Sequence, residues 1–431
     1  MSKTFKRDLQ YAKFSAYGFL KNLQFAEPFL VLFLLARGMD YLQIGTLYAI
    51  RMIAVNVLEV PSGFAADALG RRGTMLTAFG GYLLSFAAFY AGGAFRHFAA
   101  AMLLFAVGEA FRTGTHKAMI MTYLASRGWL HLKAHYYGRT RSWSQLGAAL
   151  SAAIAAVIVF AGQSYGPVFL FSMIPYALDA LLIASYPREL DGPRAAERPP
   201  GKTSARGDAR ATAQRVVAAF GETFRELARA ARSPRIAVTV ANASLLGGFY
   251  KAAKDFLQPM VRALALSLPV LAGVEEIRRS AVLIGILYSL LYLATSFTSR
   301  FAGNLADRLG SLQKALNIEL LVGLGLTFAA GACHAFGFPA PAVVLFMFLF
   351  VLHNARRPLS VTFMSDAVSE DIQATALSIE SQVQSLFGAA FALGIGAVAD
   401  AAGGSVGVGV AVVAGVALAA FPAYRLRAPA E

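Results

Sequence analysis

Cysteine is almost missing from this sequence. Cys333 stands alone in 431 residues, which excludes an internal disulfide, and no Cys/His cluster has the spacing of a zinc site. Charge is scarce too, at 15% Asp, Glu, Lys and Arg, well below what a soluble domain of this length carries on its surface. No nucleophile, metal-ligand set or phosphate-binding loop falls at the spacing such chemistry needs, so neither an enzyme nor a cofactor is expected. The glycine-rich GGSVGVGV at Gly403 lies between two apolar runs and reads as close helix packing. No cleavable leader is expected, because MSKTFKRDLQYAKF is polar and basic and runs directly into an apolar segment.

What the chain has in abundance is apolar sequence, 57% by composition. It is organised in twelve stretches of about 20 or more residues, each enough to cross roughly 30 Å of hydrocarbon as a helix. They fall at 10–37, 41–66, 73–95, 97–125, 138–162 and 165–186, then at 235–261, 280–305, 313–335, 339–367, 375–400 and 403–425. The formal charge of +15 does not form a nucleic-acid stripe. It gathers in alternate loops, at Arg71 and Arg72, at Arg127, Lys133, Arg139 and Arg141, and between Pro187 and Arg235. That is the positive-inside bias of a multi-pass protein with both termini in the cytoplasm. Nucleic acid is excluded as a partner on that pattern, while membrane lipids are expected.

Two halves are visible. GFAADALG at Gly63–Gly70 returns as GNLADRLG at Gly303–Gly310, and SQLGAALSAA from Ser144 is echoed by SLFGAAFALG from Ser385. The offsets are 240 and 241 residues, which implies duplicated six-helix units. The expected domains are residues 1–186, a basic linker at 187–232 and residues 233–431. Within the linker, Val216, Val217, Phe220, Phe224 and Leu227 have helical spacing, which suits either a helix on anionic headgroups or a solvated one. GFLKNLQFAEP at Gly18 matches GFYKAAKDFLQP at Gly248, so Lys21 and Lys251 are equivalent.

The loop after the second stretch, with Gly63, Asp67, Gly70, Arg71 and Arg72, and its copy with Gly303, Asp307, Arg308 and Gly310, resemble the repeated signature of the major facilitator superfamily. The resemblance covers essentially the whole chain. It implies an all-α membrane fold of twelve helices in two pseudo-symmetric bundles, alternating access, and a cavity lined by helices 1, 4, 7 and 10. In such a protein the signature residues form a conformational gate, with glycines permitting close approach and an aspartate meeting a helix dipole. Ala68 stands where the family usually has a basic residue, and Ser311 and Leu312 replace the basic pair in the second copy; the gate is therefore expected to be asymmetric.

The same resemblance gives the intramembrane charges a place. Lys21 and Lys251 would face the cavity, with Arg51, Arg112, His353, Arg356 and Arg357. Glu109 and Arg112, like Lys251 and Asp255, are close enough along a helix to neutralise each other, whereas Gln24 and Phe25 follow Lys21 at those spacings. A cation at mid-membrane costs at least about 2.5 kcal/mol unless matched. A small organic anion, phosphorylated or carboxylate-bearing, is the expected substrate, with protons or a counter-anion as coupling partner. Glu27, Glu109, Asp179 and Asp255 are the candidate proton carriers, and Lys254 and Asp255 stand near enough to Lys251 to tune its charge or to exchange with it as ligand leaves. Two other readings stay open. One is a proton-coupled exporter of drugs or amphipathic compounds, although the fifth stretch lacks a Gly-Pro-Gly-Gly element and a cationic cavity repels cations. The other is a receptor or scaffold that reuses the fold without transporting.

Overall fold

A computed structural model describes residues 7–191, 221, 225, 234–269, 272–298, 311–367 and 373–426. The described residues form helices and connecting turns with no strand, as hydrocarbon requires of a chain whose backbone groups must be satisfied within each segment. The first span is interrupted. Helix α1, Leu9–Lys21, ends at mid-span, and after a non-helical stretch and a 3-10 turn, Glu27–Phe29, the chain resumes as α2, Leu30–Ala36. Spans two and three are one element, α3, Tyr41–Ala91, bent at Gly70, whose φ of 76° suits glycine. The fourth span also breaks, into α4, Phe95–Arg112, and α5, Thr115–Ser126, at Gly114 with φ 81°. Helices α6, Lys133–Gly162, and α7, Pro167–Ala184, complete the first six passes.

The seventh span repeats the interruption of the first. Helix α8, Pro234–Ala253, gives way to a 3-10 turn, Lys254–Phe256, and then α9, Leu257–Ser267. Then follow α10, Glu276–Thr298; α11, Leu312–Ala335; α12, Pro339–Ala367; α13, Gln373–Ala401; and α14, Val406–Ala419, with a short α15, Phe421–Tyr424. The apolar pattern predicts unbroken helices at spans one, four and seven, and the structure corrects that. Pro259 has no N–H for the carbonyl of Asp255 and its ring crowds that carbonyl, so the helix tightens ahead of it. Pro28 stands in the same relation to Gln24.

Two compact units result. One comprises Met1–Ala26, Ala54–Ile154 and Gly166–Thr223; the other Glu27–Ile53, Ala155–Tyr165 and Phe224–Glu431. In the first, Phe14 is buried edge-on against Tyr123, Tyr136 and Tyr186, and Asp8 caps α1 through Tyr11 N at 2.9 Å while accepting from the Tyr123 hydroxyl. In the second, α8 packs on α13, and α11 packs on α12 and α14.

The duplicated motifs mark helix crossings. A Cβ on Gly147 would overlap the Phe19 carbonyl oxygen of α1, and one on Gly18 would lie 2.7 Å from Ser144 Oγ of α6. In the second unit a Cβ on Gly248 would lie 2.8 Å from the Gln384 carbonyl, with one on Gly388 at 3.3 Å from the Gly248 carbonyl and 2.7 Å from Met52 Sδ. Backbone contact of this kind lets helices associate where lipid gives no hydrophobic drive. Gly63 is different, because a Cβ there meets nothing within 4 Å; its expected close approach is not present in this conformation. Gly147→Val is expected to lower the detergent melting temperature, at a cost of about 1–3 kcal/mol, whereas Gly63→Ala should leave it unchanged or raised. Equal melting of both variants and wild type would contradict this account.

Candidate functional site

In the second unit, charge concentrates at the break in the seventh span. Lys254 Nζ lies 3.1 Å from Glu27 Oε1 and 2.8 Å from Asp255 Oδ1. Gln258 fixes the two backbones to each other, donating to the Glu27 carbonyl at 2.9 Å and accepting from Val31 N at 2.8 Å. Asp255 is almost wholly buried, and its second carboxylate oxygen has no hydrogen-bond partner among the described residues, as is also true of the buried Tyr48 and Tyr288 hydroxyls nearby. The Arg51 guanidinium lies 4.9 Å from the centre of the Tyr48 ring. The ammonium that meets Asp255 here is thus that of its immediate neighbour, while Lys251 donates to Ser385 Oγ at 3.1 Å. The 3-10 turn explains the exchange of expected partners. Tighter winding moves residues four apart off a common face and brings Lys254 round toward Glu27.

One to two turns toward the C-terminal tail, His353 stacks on Tyr250 with ring centres 4.0 Å apart. The charges of Lys251, Arg356 and Arg357 all reach His353. The carboxylates among them are Glu380, which accepts from Ser360 at 3.1 Å, and Glu319, 4.0 Å from Arg356. The adjacent arginines have parted. Arg357 is exposed, whereas Arg356 is buried and donates to the carbonyls of Leu316 at 2.5 Å and Asn242 at 2.8 Å and to Asn242 Oδ1 at 2.8 Å. Expected beside the substrate, Arg356 is instead committed to the framework, because a ligand would have to displace these bonds. Asn242 and Asn317 carry the same network to the tail. Asn242 donates to the Tyr424 carbonyl at 3.0 Å, and Asn317 exchanges bonds with both backbone groups of Leu426.

The first unit holds its own cluster. Arg112 donates to Tyr82 OH at 3.1 Å and pairs with Glu109 at 3.4 Å. His116 stacks on Tyr17 at 3.6 Å and meets Tyr186 OH at 3.3 Å. Asp179 of α7 is fully buried, with neither carboxylate oxygen hydrogen-bonded among the described residues, and the charges of Lys21 and Arg112 reach it. The charge of Lys21 thus reaches an acid on the sixth span, a relation that helical spacing cannot reveal.

Of the proposed gate, Arg71 donates to the Ala118 carbonyl and Thr122 Oγ1 of α5, while Arg72 donates to the Tyr186 carbonyl and, through its N–H, to Asp191. Both basic residues brace their own unit. The Asp67 side chain and Gly303, Asp307, Arg308 and Gly310 lie outside the described residues, as does nearly all of the basic linker with its expected surface helix.

The family profile described as Major Facilitator Superfamily matches residues 18–394. The chain belongs to the major facilitator superfamily. Solved members of this fold superpose along almost its whole length. The nucleoside transporter NupG gives a TM-score of 0.73 at 12% identity, covering 97% of this chain and 98% of its own. A peptide transporter POT in complex with sulfate gives 0.67 at 13%, with 97% and 95% covered, and a D-xylose-proton symporter gives 0.65 at 12%, with 96% of each. No curated protein sequence matches the chain. The protein is thus a multi-pass membrane transporter and not an enzyme, and one of its charged clusters, that of Lys254, sits at a broken span.

Glu319, Glu380, Asn242 and Asn317 carry no motif, so sequence reading passed over them; the signal available was a charged or amide residue within an apolar run. Removal of the Arg356 guanidinium by Arg356→Leu leaves Glu319 buried beside nothing charged, at a cost of about 3–5 kcal/mol. The double variant Arg356→Leu/Glu319→Leu should melt closer to wild type than the single one. Additive losses in detergent melting curves would show that the two side chains act independently.

Proposed function

We propose that this superfamily transporter moves a small organic anion across the cytoplasmic membrane, with both termini in the cytoplasm and residues 1–186 and 233–431 rocking about the substrate through the 187–232 linker. The carrying observation is the charge balance around His353 among the described residues, where the charges of Lys251, Arg356 and Arg357 are set against two carboxylates, Glu319 and Glu380. One further negative charge would complete it. The break after Ala253, in the same unit, supports this place, because an interrupted helix at mid-membrane offers backbone dipoles to a ligand. Lysine would hold carboxylate or phosphate as a point charge. An excess of positive charge opposes amphipathic cations, the cargo of the drug-exporter reading.

Coupling to protons falls to Glu27, Lys254 and Asp255. Glu27 is the most accessible of the three, with 39% of its side chain exposed. Protonation there would leave Lys254 held by Asp255 alone and would loosen the tie between the first and seventh spans. Glu109, paired with Arg112, and the buried Asp179 are secondary candidates.

The purified protein should melt at a higher temperature with one or more of inorganic phosphate, sugar phosphates or dicarboxylates. Lys251→Gln and Lys21→Gln should each weaken that stabilisation about 10-fold or more in ligand concentration, with Lys251→Arg losing less. Stabilisation by lipophilic cations alone would reject the anion reading. In liposomes, Glu27→Gln should keep exchange of the stabilising anion but lose accumulation driven by a pH gradient; undiminished accumulation would place coupling elsewhere.

A further inference from the structure

We propose that Asp400 is a latch that ties the second span to the eleventh on the face away from the C-terminal tail, and that its release is a step of the transport cycle. Asp400 lies in the last turn of α13. Its two carboxylate oxygens are divided between two consecutive backbone groups at the start of α3, with Oδ1 accepting from Tyr41 N at 3.0 Å and Oδ2 from Leu42 N at 2.7 Å. The residues joined are 359 and 358 positions apart in the chain.

The start of α3 already has its own cap. Asp40 Oδ1 accepts from Gln43 N at 2.7 Å, and Gln43 Oε1 accepts from Asp40 N at 3.2 Å, a reciprocal capping box. Asp400 therefore adds a second carboxylate at a helix end that Asp40 already caps, and it takes the two N–H groups that Asp40 leaves. A negative charge there is favoured by the helix dipole and by charge-assisted bonding.

The backbones below are in contact and antiparallel. A Cβ on Gly45 would overlap the Ala392 carbonyl oxygen, and one on Gly396 would overlap that of Tyr41. Each glycine here meets the backbone of the facing helix without a side chain between them, whereas the carboxylate bonds exist only while the two ends touch. The counterpart contact between the fifth and eighth spans has the opposite polarity. Arg278, in the first turn of α10, donates from Nε to the Phe160 carbonyl at 3.2 Å near the end of α6, with its guanidinium 5.3 Å from the Phe160 ring centre. An acid meets a helix N-terminus in one contact and a base meets a helix C-terminus in the other, each complementing the dipole it faces. Alternating access requires these ends to separate, so their strength sets how often that face opens. The inference rests on the rocking of the two halves and on no particular substrate.

The test is the distance between spin labels at Arg37→Cys and Ala402→Cys in the full chain carrying Cys333→Ser, measured by double electron–electron resonance. The parent should show a dominant short distance. Asp400→Ala should raise the population of a longer distance about 10-fold relative to the short one, and Asp400→Asn, which keeps one acceptor, should lie between. Asp40→Ala removes only the local cap and should leave the distances as in the parent. An unchanged distribution in Asp400→Ala would overturn the latch, as would equal widening in Asp40→Ala, which would assign the effect to fraying of α3. Should Asp400→Ala aggregate, Asp400→Asn decides alone, and a parent-like distribution there counts against the proposal.

Discussion

Hydrocarbon offers no hydrogen bonds and no counter-ions, and this constraint shapes the molecule throughout. Regular helices meet it for most of the backbone. Where a helix is broken, side chains take over, so each interruption is accompanied by polar residues that a continuous helix would not need. Gln258 bonds the backbone of the first span at Glu27, within the break, and at Val31, where the helix resumes, and Asn22 donates to the Gly18 carbonyl as α1 ends. Charges obey the same rule. Lys254 is met by two carboxylates and Arg356 by three oxygen acceptors and a carboxylate.

Breaks and charges coincide because a transporter needs polar groups at mid-depth that can change partners. A cation enclosed by a rigid helix and one fixed acid would be inert. The triad of Glu27, Lys254 and Asp255 instead gives one ammonium a choice of two acids, one of them partly accessible and the other buried. The Arg356 network lies at the opposite extreme. Its acceptors are mostly backbone carbonyls, which cannot be protonated away, and it ties spans seven, nine and ten to the tail. A switchable cluster and a fixed one thus lie within a few turns of each other.

The twelve apolar stretches, the duplication and the family signature were all legible in order of residues, because apolar length and repeat offset are properties of the chain. The glycines in the duplicated motifs were legible as repeats, yet their purpose as backbone contact points at the crossings of spans one with five and seven with eleven was not. The site was partly legible. Mid-membrane Lys21, Glu27, Arg112, Lys251, Asp255 and His353 stood out against apolar neighbours, whereas Asp179's relation to Lys21 links residues far apart in the chain. Adjacent Arg356 and Arg357 read alike and were separated by packing, one buried and one exposed.

The sequence by itself determined that the chain crosses a membrane many times, is built from two related halves and carries more basic than acidic side chains into the bilayer. These follow from composition and period, which local physics reads directly. Only the tertiary structure decided which acid meets which base, where the first, fourth and seventh spans stop being helical, and that Asp400 caps a helix hundreds of residues away. Such pairings depend on which helices are neighbours and how tightly each is wound at the contact, and a one-dimensional pattern does not contain that distance.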